Sequence, residues 1–378
     1  MKEKSQKASA IVFFTFLLFF MLFSVFFFKD EKSELENRSL AKMPKLNKTT
    51  YLDASFAKGT EEFLNDHFPL RTDWISLRTG IELLSGKSEI NGIYITDERL
   101  LEKTAEPDYA ISDASAEAIN KFAKKHPDSS VYVMLAPTSA CVYSDELSPE
   151  APQYNLTGLT ERVYDELDES IVKLDVYKTM YGVRDEYIYY RNDHHWTALG
   201  AYYAYNYAVS RLGFNPVAYN SFNIEHANNN FRGTFFSKTL YSGCRPDSID
   251  IYSCESGTQI SSLEINDGMK IETYDSLYFK DYLKGSDMYS MYLGGNHPLV
   301  TIKTNSQSGK KLLLIKDSYA NSFVPFLAQH YSEITMLDMR YISVAPEAIL
   351  DVDEYRQVMI LYNISGFAAD TDLRRIGS

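Results

Sequence analysis

The chain has 378 residues, a formal net charge of −13 and a predicted pI of about 5.1. That length allows one large domain or two smaller ones. The acidic balance speaks against nucleic acid or anionic lipid as the main ligand, because both select clustered Lys and Arg. Tyrosine is frequent, at 29 residues. Its flat apolar face with a hydroxyl suits carbohydrate surfaces, and equally suits strands and core edges. The three cysteines, Cys141, Cys244 and Cys254, form neither a disulfide framework nor a CxxC zinc pattern. Cys244 and Cys254 are close enough in sequence to clip a loop in an oxidising compartment.

Lys2, Lys4 and Lys7 precede an uncharged run, Ile11–Phe28, about as long as a membrane span. Positive charge ahead of the run places the N-terminus in the cytoplasm and the rest outside. The run is longer than a secretory h-region and ends without an A-x-A-like site, so an uncleaved signal anchor over residues 1–29 is expected. A cleaved signal peptide is the alternative. The expected location is the cell membrane, single-pass, with the bulk of the chain extracytoplasmic.

Residues 30–105 read as a stalk followed by a helical and hairpin segment. About Lys29 to Thr50 is polar; Phe56 to Leu84 is apolar at helical spacing with a break at His67-Phe68-Pro69. His67 reads as a helix-end histidine making structural hydrogen bonds. Gly86 to Leu101 reads as a turn and short hairpin.

Residues 106–378 carry an α/β pattern. Helix Ser112 to Lys125, capped by Ser112 or Asp113, precedes an apolar strand, Val131 to Ala136. Helix Leu159 to Val172 and short strands Leu174 to Val176 and Tyr187 to Tyr190 follow. Helix Ala198 to Leu212 then stops at Gly213. About 214–299 is a β-rich excursion, dominated by Asn, Ser, Gly and Tyr. The α/β pattern resumes with strand Lys311 to Ile315, helix Phe323 to His330, strand Ile334 to Leu337, helix Pro346 to Leu350 and strand Val358 to Tyr362. The fold class is therefore α/β with a mostly parallel sheet.

Two loops carry chemistry. Asp193-His194-His195-Trp196 sits between a predicted strand and a helix, where α/β proteins place reactive groups. Lys316-Asp317-Ser318 follows a buried strand and opens a helix, a turn that lifts a hydroxyl to the sheet edge. Ser318, His195 and Asp193 together supply nucleophile, base and orienter. A metal site at Asp193, His194 and His195 and a purely structural His-His-Trp corner remain open on pattern alone.

These residues resemble the signature of the DHHW protein family. Glu36-Asn37-Arg38-Ser39-Leu40, Asn65-Asp66-His67-Phe68-Pro69-Leu70-Arg71, Gly294-Gly295-Asn296-His297-Pro298 and Lys316 through Phe323 are similar to its other recurring blocks, in its order. That family in turn resembles alginate O-acetyltransferase-like proteins with an SGNH-hydrolase-like catalytic domain. The resemblance implies a three-layer SGNH-like domain over 106–378. It implies catalysis by Ser318, His195 and Asp193, supported by His194, Trp196 and Asp317, with Asn296 helping to hold the oxyanion. Lys316 stands where the related pattern has glycine. The implied activity is O-acetyl transfer or acetyl-ester hydrolysis on cell-surface polysaccharide, with no cofactor and no metal. The implied partners are a polysaccharide acceptor and a membrane-bound O-acyltransferase that delivers acyl groups. The competing readings are a non-catalytic carbohydrate-binding or assembly protein on the same fold, and a metal-dependent hydrolase.

Overall fold

The computed structural model describes residues 2–27 and 30–378. Phe28 and Lys29, where the expected span ends, lie outside the described residues. The N-terminal helix α1 (Lys2–Phe27) contains an apolar window, Gln6–Phe23, of mean hydropathy 1.9. It is long and apolar enough to cross a membrane, and a signal sequence would meet the same test.

The chain divides into two compact units: one runs through Asn91 and includes Phe236–Gly243, the other comprises Gly92–Phe235 and Cys244–Ser378. In the first, α2 (Ser55–Asp66) ends at His67 and α3 (Arg71–Leu84) follows. The Glu36–Leu40 and Asn65–Arg71 blocks clasp one another. Arg38 donates to both oxygens of Asp66 at 2.9 and 2.5 Å, and Arg71 pairs with Glu36. The Arg38 guanidinium draws the Asp66 carboxyl down to about 2. His67 is buried and its Nε2 meets the Ala41 carbonyl at 3.0 Å, the structural role expected of it. Ser76 and Thr79 of α3 donate to the carbonyls of Leu240 and Thr239, which ties Phe236–Gly243 to this unit.

The second unit is a three-layer α/β domain. The eight strands of its central sheet, in chain order, are β1 (Ser130–Ala136), β2 (Val172–Lys173), β3 (Ile260–Asn266), β4 (Ile271–Tyr274), β5 (Leu299–Thr304), β6 (Lys311–Lys316), β7 (Glu333–Leu337) and β8 (Gln357–Asn363). They lie in the order β4-β3-β5-β7-β6-β8-β1-β2. From β7 to β2 every pairing is parallel, and β4, β3 and β5 add on antiparallel. Side chains alternate across the parallel strands, as the pleat requires. Met134, Leu312, Leu314 and Leu361 join the core on one face, with α6 (Ala198–Arg211) and α7 (Ala320–Leu327). Val133, Leu313, Ile315 and Ile360 join the other, with α4 (Tyr109–Lys125), α5 (Leu156–Glu166) and α8 (Ile364–Ala369). Burial on both faces is why these strands read as continuous apolar runs.

Several local expectations change. The first helix of this unit starts at Tyr109, capped by Asp108, whose side chain accepts from Ala110 N. Tyr187 to Tyr190 forms no strand; Tyr189 makes an isolated bridge to Trp196. Two of its tyrosines are held by side-chain hydrogen bonds instead, Tyr189 Oη to the Pro137 carbonyl at 2.6 Å and Tyr187 Oη to Asp247 Oδ1 at 2.7 Å. The strand expected at Leu174 to Val176 lies two residues earlier, at β2, and Pro346–Ala348 is a single 3₁₀ turn rather than a helix. The β-rich region is only partly an excursion. Asn223–Phe231 and Asp247–Ser253 pair as a separate ribbon, whereas β3, β4 and β5 extend the central sheet. Cys141, Cys244 and Cys254 are all buried free thiols.

Candidate active site

Ser318 follows the carboxyl end of β6, flanked by β7 and β8, at the sheet edge where parallel α/β folds gather their chemistry. Asp317 fixes the turn. Its Oδ1 accepts from Tyr319 N at 2.9 Å, and its Oδ2 accepts from the backbone N–H and Nδ2 of Asn363, at the end of β8, at 2.7 and 2.6 Å. Its carboxyl, raised by burial, is an acceptor that ties the end of β6 to the end of β8.

The histidine loop is shaped by the start of α6. Thr197 is the N-cap: its Oγ1 accepts from Gly200 N at 3.1 Å and donates to the Tyr187 carbonyl at 2.6 Å. A Cβ at Gly200 would lie 2.2 Å from the Ile188 carbonyl oxygen, so the loop closes only over a glycine.

These two turns bring together residues 123 positions apart. His195 Nε2 lies 2.8 Å from Ser318 Oγ, and His195 Nδ1 lies 2.6 Å from Asp193 Oδ1. Asp193 is buried, and every donor around it faces a carboxylate oxygen. Oδ1 also accepts from His195 N at 3.0 Å, and Oδ2 accepts from Thr234 N at 2.8 Å and Thr234 Oγ1 at 3.0 Å. Burial pushes the Asp193 carboxyl up, but the two imidazoles and these donors outweigh it and hold the group far below the usual carboxylate range. An ionised Asp193 fixes the proton of His195 on Nδ1. The Nε2 lone pair is thereby turned toward the Ser318 hydroxyl, as a general base requires.

The surrounding side chains lock His195 in place. Tyr289 stacks on its ring, with centroids 3.6 Å apart and planes 8° apart. Tyr289 Oη also donates to the Ser318 carbonyl at 3.0 Å and sits 3.1 Å from Ser322 Oγ. Trp196, fully buried, donates Nε1 to the Tyr319 carbonyl and to Ser322 Oγ, both at 3.0 Å, stitching the histidine loop to the serine turn. His194 packs on His195 with ring centroids 3.7 Å apart. Its Nδ1 lies 2.8 Å from Thr234 Oγ1. The Thr234 hydroxyl donates to Asp193, so it accepts from His194 Nδ1–H. His194 Nδ1 is thus engaged with Thr234 and not with Ser318.

Lys316 occupies the glycine position, and the turn forms around it. The side chain is buried, with Nζ at 2.9 Å from both Asn296 Oδ1 and Asn321 Oδ1 and 3.5 Å from Asp338 Oδ2. Burial draws its ammonium down to about 8, with Asp338 opposing the shift. Asn296 Oδ1 accepts also from Asn321 Nδ2 at 3.1 Å, and Asn321 Nδ2 reaches the Gly295 carbonyl at 3.2 Å. Two donors on Oδ1 fix the orientation of the Asn296 amide and leave its NH₂ as the group available to a ligand. His297 turns its Nε2 to the Leu293 carbonyl at 3.1 Å and is a structural neighbour.

Asp193, His194 and His195 offer ligand atoms within 4.8 Å of one another. The donor set does not fit a metal. Both nitrogens of His195 and both oxygens of Asp193 are engaged as above, which leaves one imidazole nitrogen, on His194. The sequence did not reveal Tyr289, Thr234 or Gly233. A Cβ at Gly233 would lie 2.1 Å from Asp193 Oδ2, so this glycine makes room for the carboxylate.

Comparison with known proteins agrees with this architecture. A DHHW family protein from Eubacterium siraeum has a similar solved structure: TM-score 0.67, 23% identity, covering 76% of this chain and 95% of that one. Bacillus cereus PatB1, solved with a sulfonyl adduct, is similar with a TM-score of 0.65 and 20% identity, over 75% of this chain and 97% of that one. No curated protein matches. The DHHW protein family model matches residues 106–337, more than half of the chain and spanning both the Asp193–Trp196 and Lys316–Ser318 loops, and the protein belongs to that family.

Proposed function

We propose that this protein is a membrane-tethered, extracytoplasmic, serine-dependent O-acetyltransferase or acetylesterase acting on cell-surface polysaccharide. The observation that carries this reading is the unbroken chain from Ser318 Oγ to His195 Nε2, at 2.8 Å, and from His195 Nδ1 to Asp193 Oδ1, at 2.6 Å. In this mechanism Ser318 Oγ attacks the acyl carbonyl of the donor as His195 Nε2 takes its proton. The tetrahedral oxyanion collapses, the donor alcohol leaves with the proton from His195, and Ser318 carries an ester. A sugar hydroxyl then gives its proton to His195 and attacks that ester; the sugar takes the acyl group and Ser318 recovers its proton. Water in place of the sugar gives hydrolysis. Asp193 stabilises the imidazolium at each stage. The Asn296 NH₂ is the donor assigned to the oxyanion.

Acetyl is the acyl group assigned, from the resemblance of the sequence blocks to alginate O-acetyltransferase-like proteins. In this reading residues 1–29 anchor the chain, 30–105 link it, and 106–378, with the insertion at about 214–299, form the catalytic domain. The anchor keeps Ser318 near a membrane-bound O-acyltransferase that supplies acyl groups. Ser318→Ala tests the assignment: turnover of an acetyl ester should fall about a thousandfold or more while the melting temperature stays near that of the parent. Acetyl turnover that survives the substitution overturns it.

A further inference from the structure

The apolar surface of this protein is unevenly distributed. Outside α1, eleven of the twenty exposed large apolar side chains among the described residues lie between Leu35 and Leu84. On α3 and the turn before it they form a stripe: Leu70, Trp74, Leu77, Ile81 and Leu84 are each more than half exposed. Their spacing of four, three, four and three residues places all five on one face of a helix. A helix in a globular domain turns such a face to the core. Here the core-facing role falls instead to Thr79, the buried residue of α3.

A second observation says what covers the stripe. Phe68, at the start of the turn leading into α3, stacks on Phe20 of α1 with ring centroids 5.4 Å apart and planes 14° apart. Phe20 lies inside the apolar window Gln6–Phe23. At about 1.5 Å per residue, Phe20 is roughly 10 Å below the end of α1 at Phe27. Interfacial helices sink their apolar faces about 5–10 Å into the headgroup and acyl boundary. The stripe therefore begins beside α1 at the depth where such a face rests, and it carries an aromatic, Trp74, of the kind enriched there.

We infer that α3 lies on the outer surface of the membrane that α1 crosses, with Leu70, Trp74, Leu77, Ile81 and Leu84 seated among lipid acyl chains. The polar side of α3 carries Arg71 and Arg78 against Asp73 and Glu82, so seating comes from apolar contact and needs no anionic headgroup. The first unit is then a membrane-bound platform and not a free stalk. The inference rests on the anchor reading of α1 and is independent of the catalytic assignment.

The two tryptophans make it testable. Trp196 is fully buried and Trp74 is exposed, so quenching from outside the protein reports Trp74. The full chain is reconstituted in phosphatidylcholine vesicles with brominated acyl chains. Flotation shows whether the chain is on the membrane. Bromolipid should quench the Trp74 component at least twofold, dissolved acrylamide should barely reach it, and the bromolipid-sensitive component should vanish in Trp74→Phe. If the chain floats but Trp74 is quenched by acrylamide and not by bromolipid, the face is in water and the inference fails. If neither quencher reaches it, protein covers the stripe and the inference fails also. A chain that does not float refutes the anchor reading itself.

Discussion

Replacing Asp193 by Asn changes one atom and removes the charge, and the hydrogen bonds around the carboxylate determine the cost. Four donors converge on the two oxygens: His195 N and Nδ1 on Oδ1, Thr234 N and Oγ1 on Oδ2. An amide has one accepting oxygen. If that oxygen faces His195, the NH₂ meets the Thr234 N–H, and a buried donor is left unpaired at about 1–3 kcal/mol. If the amide flips, the NH₂ meets His195 Nδ1, which can accept only by losing its proton. Nε2 then carries the proton and has no lone pair for Ser318. Either way the imidazolium loses its counter-charge. Turnover should fall on the order of 10³–10⁴-fold, as for other orienting carboxylates in serine–histidine sets. Initial rates on a chromogenic acetyl ester, with thermal melts run alongside, check both effects. An Asp193→Asn protein that keeps turnover within tenfold of the parent would refute the role of Asp193. The same carboxyl has a linkage consequence. Its folded pKa lies below the unfolded value of 3.8, so its stabilisation is present above about pH 4 and is lost as pH falls further. Asp193→Asn should therefore lose less stability on acidification than the parent, in melts followed below pH 4.

Lys316→Met should separate stability from activity. The shift of Lys316 from 10.5 to about 8 corresponds to roughly 3 kcal/mol against its charged form, a cost that is full below pH 8 and fades as pH rises toward 10.5. Asp338 keeps Arg340 at 2.8 and 2.6 Å, so the variant should melt at or above the parent's temperature near pH 7, with turnover down about tenfold or more from a loosened Asn296. A joint fall in both would assign Lys316 to structure alone. Gly233→Ala places a Cβ 2.4 Å from the Cβ of Asp193; displacing the carboxylate should lower turnover at least a hundredfold and stability by about 1–3 kcal/mol, read by kinetics and melts. Tyr289→Phe keeps the stack on His195 and removes the hydroxyl that donates to the Ser318 carbonyl, so turnover should drop several-fold, whereas Tyr289→Ala should drop it much further.

The parallel core was legible because burial on both faces leaves β1, β6, β7 and β8 with unbroken apolar runs, and their expected bounds differ from the observed ones by at most one residue at either end. Asp193, His195 and Ser318 were legible because they stand where strand-to-helix turns put reactive groups. The rest was hidden for physical reasons. Tyr289 reaches His195 from a short 3₁₀ turn, Met288–Met291, with no periodicity, so its sequence reads as loop. Thr234 and Gly233 serve Asp193 from some forty residues away, and only the folded chain shows that the carboxylate needs a donor and an empty Cβ position. Tyr187 to Tyr190 looked like a strand because tyrosine is common in strands, though here the Tyr187 and Tyr189 hydroxyls bond to Asp247 and Pro137 across the loop. Lys316 stands where the related pattern has glycine, and the sequence does not show that its ammonium is buried against Asn296, Asn321 and Asp338.

The central claim is that Ser318 is an acyl-accepting nucleophile activated by His195. Incubating the protein with an acetyl-ester donor, quenching in acid and mapping peptides by mass spectrometry tests it directly. Acetyl on Ser318, lost in Ser318→Ala and strongly reduced in His195→Ala, is the predicted result. Acetyl turnover with no label on Ser318, or label that persists at full rate without His195, would contradict it.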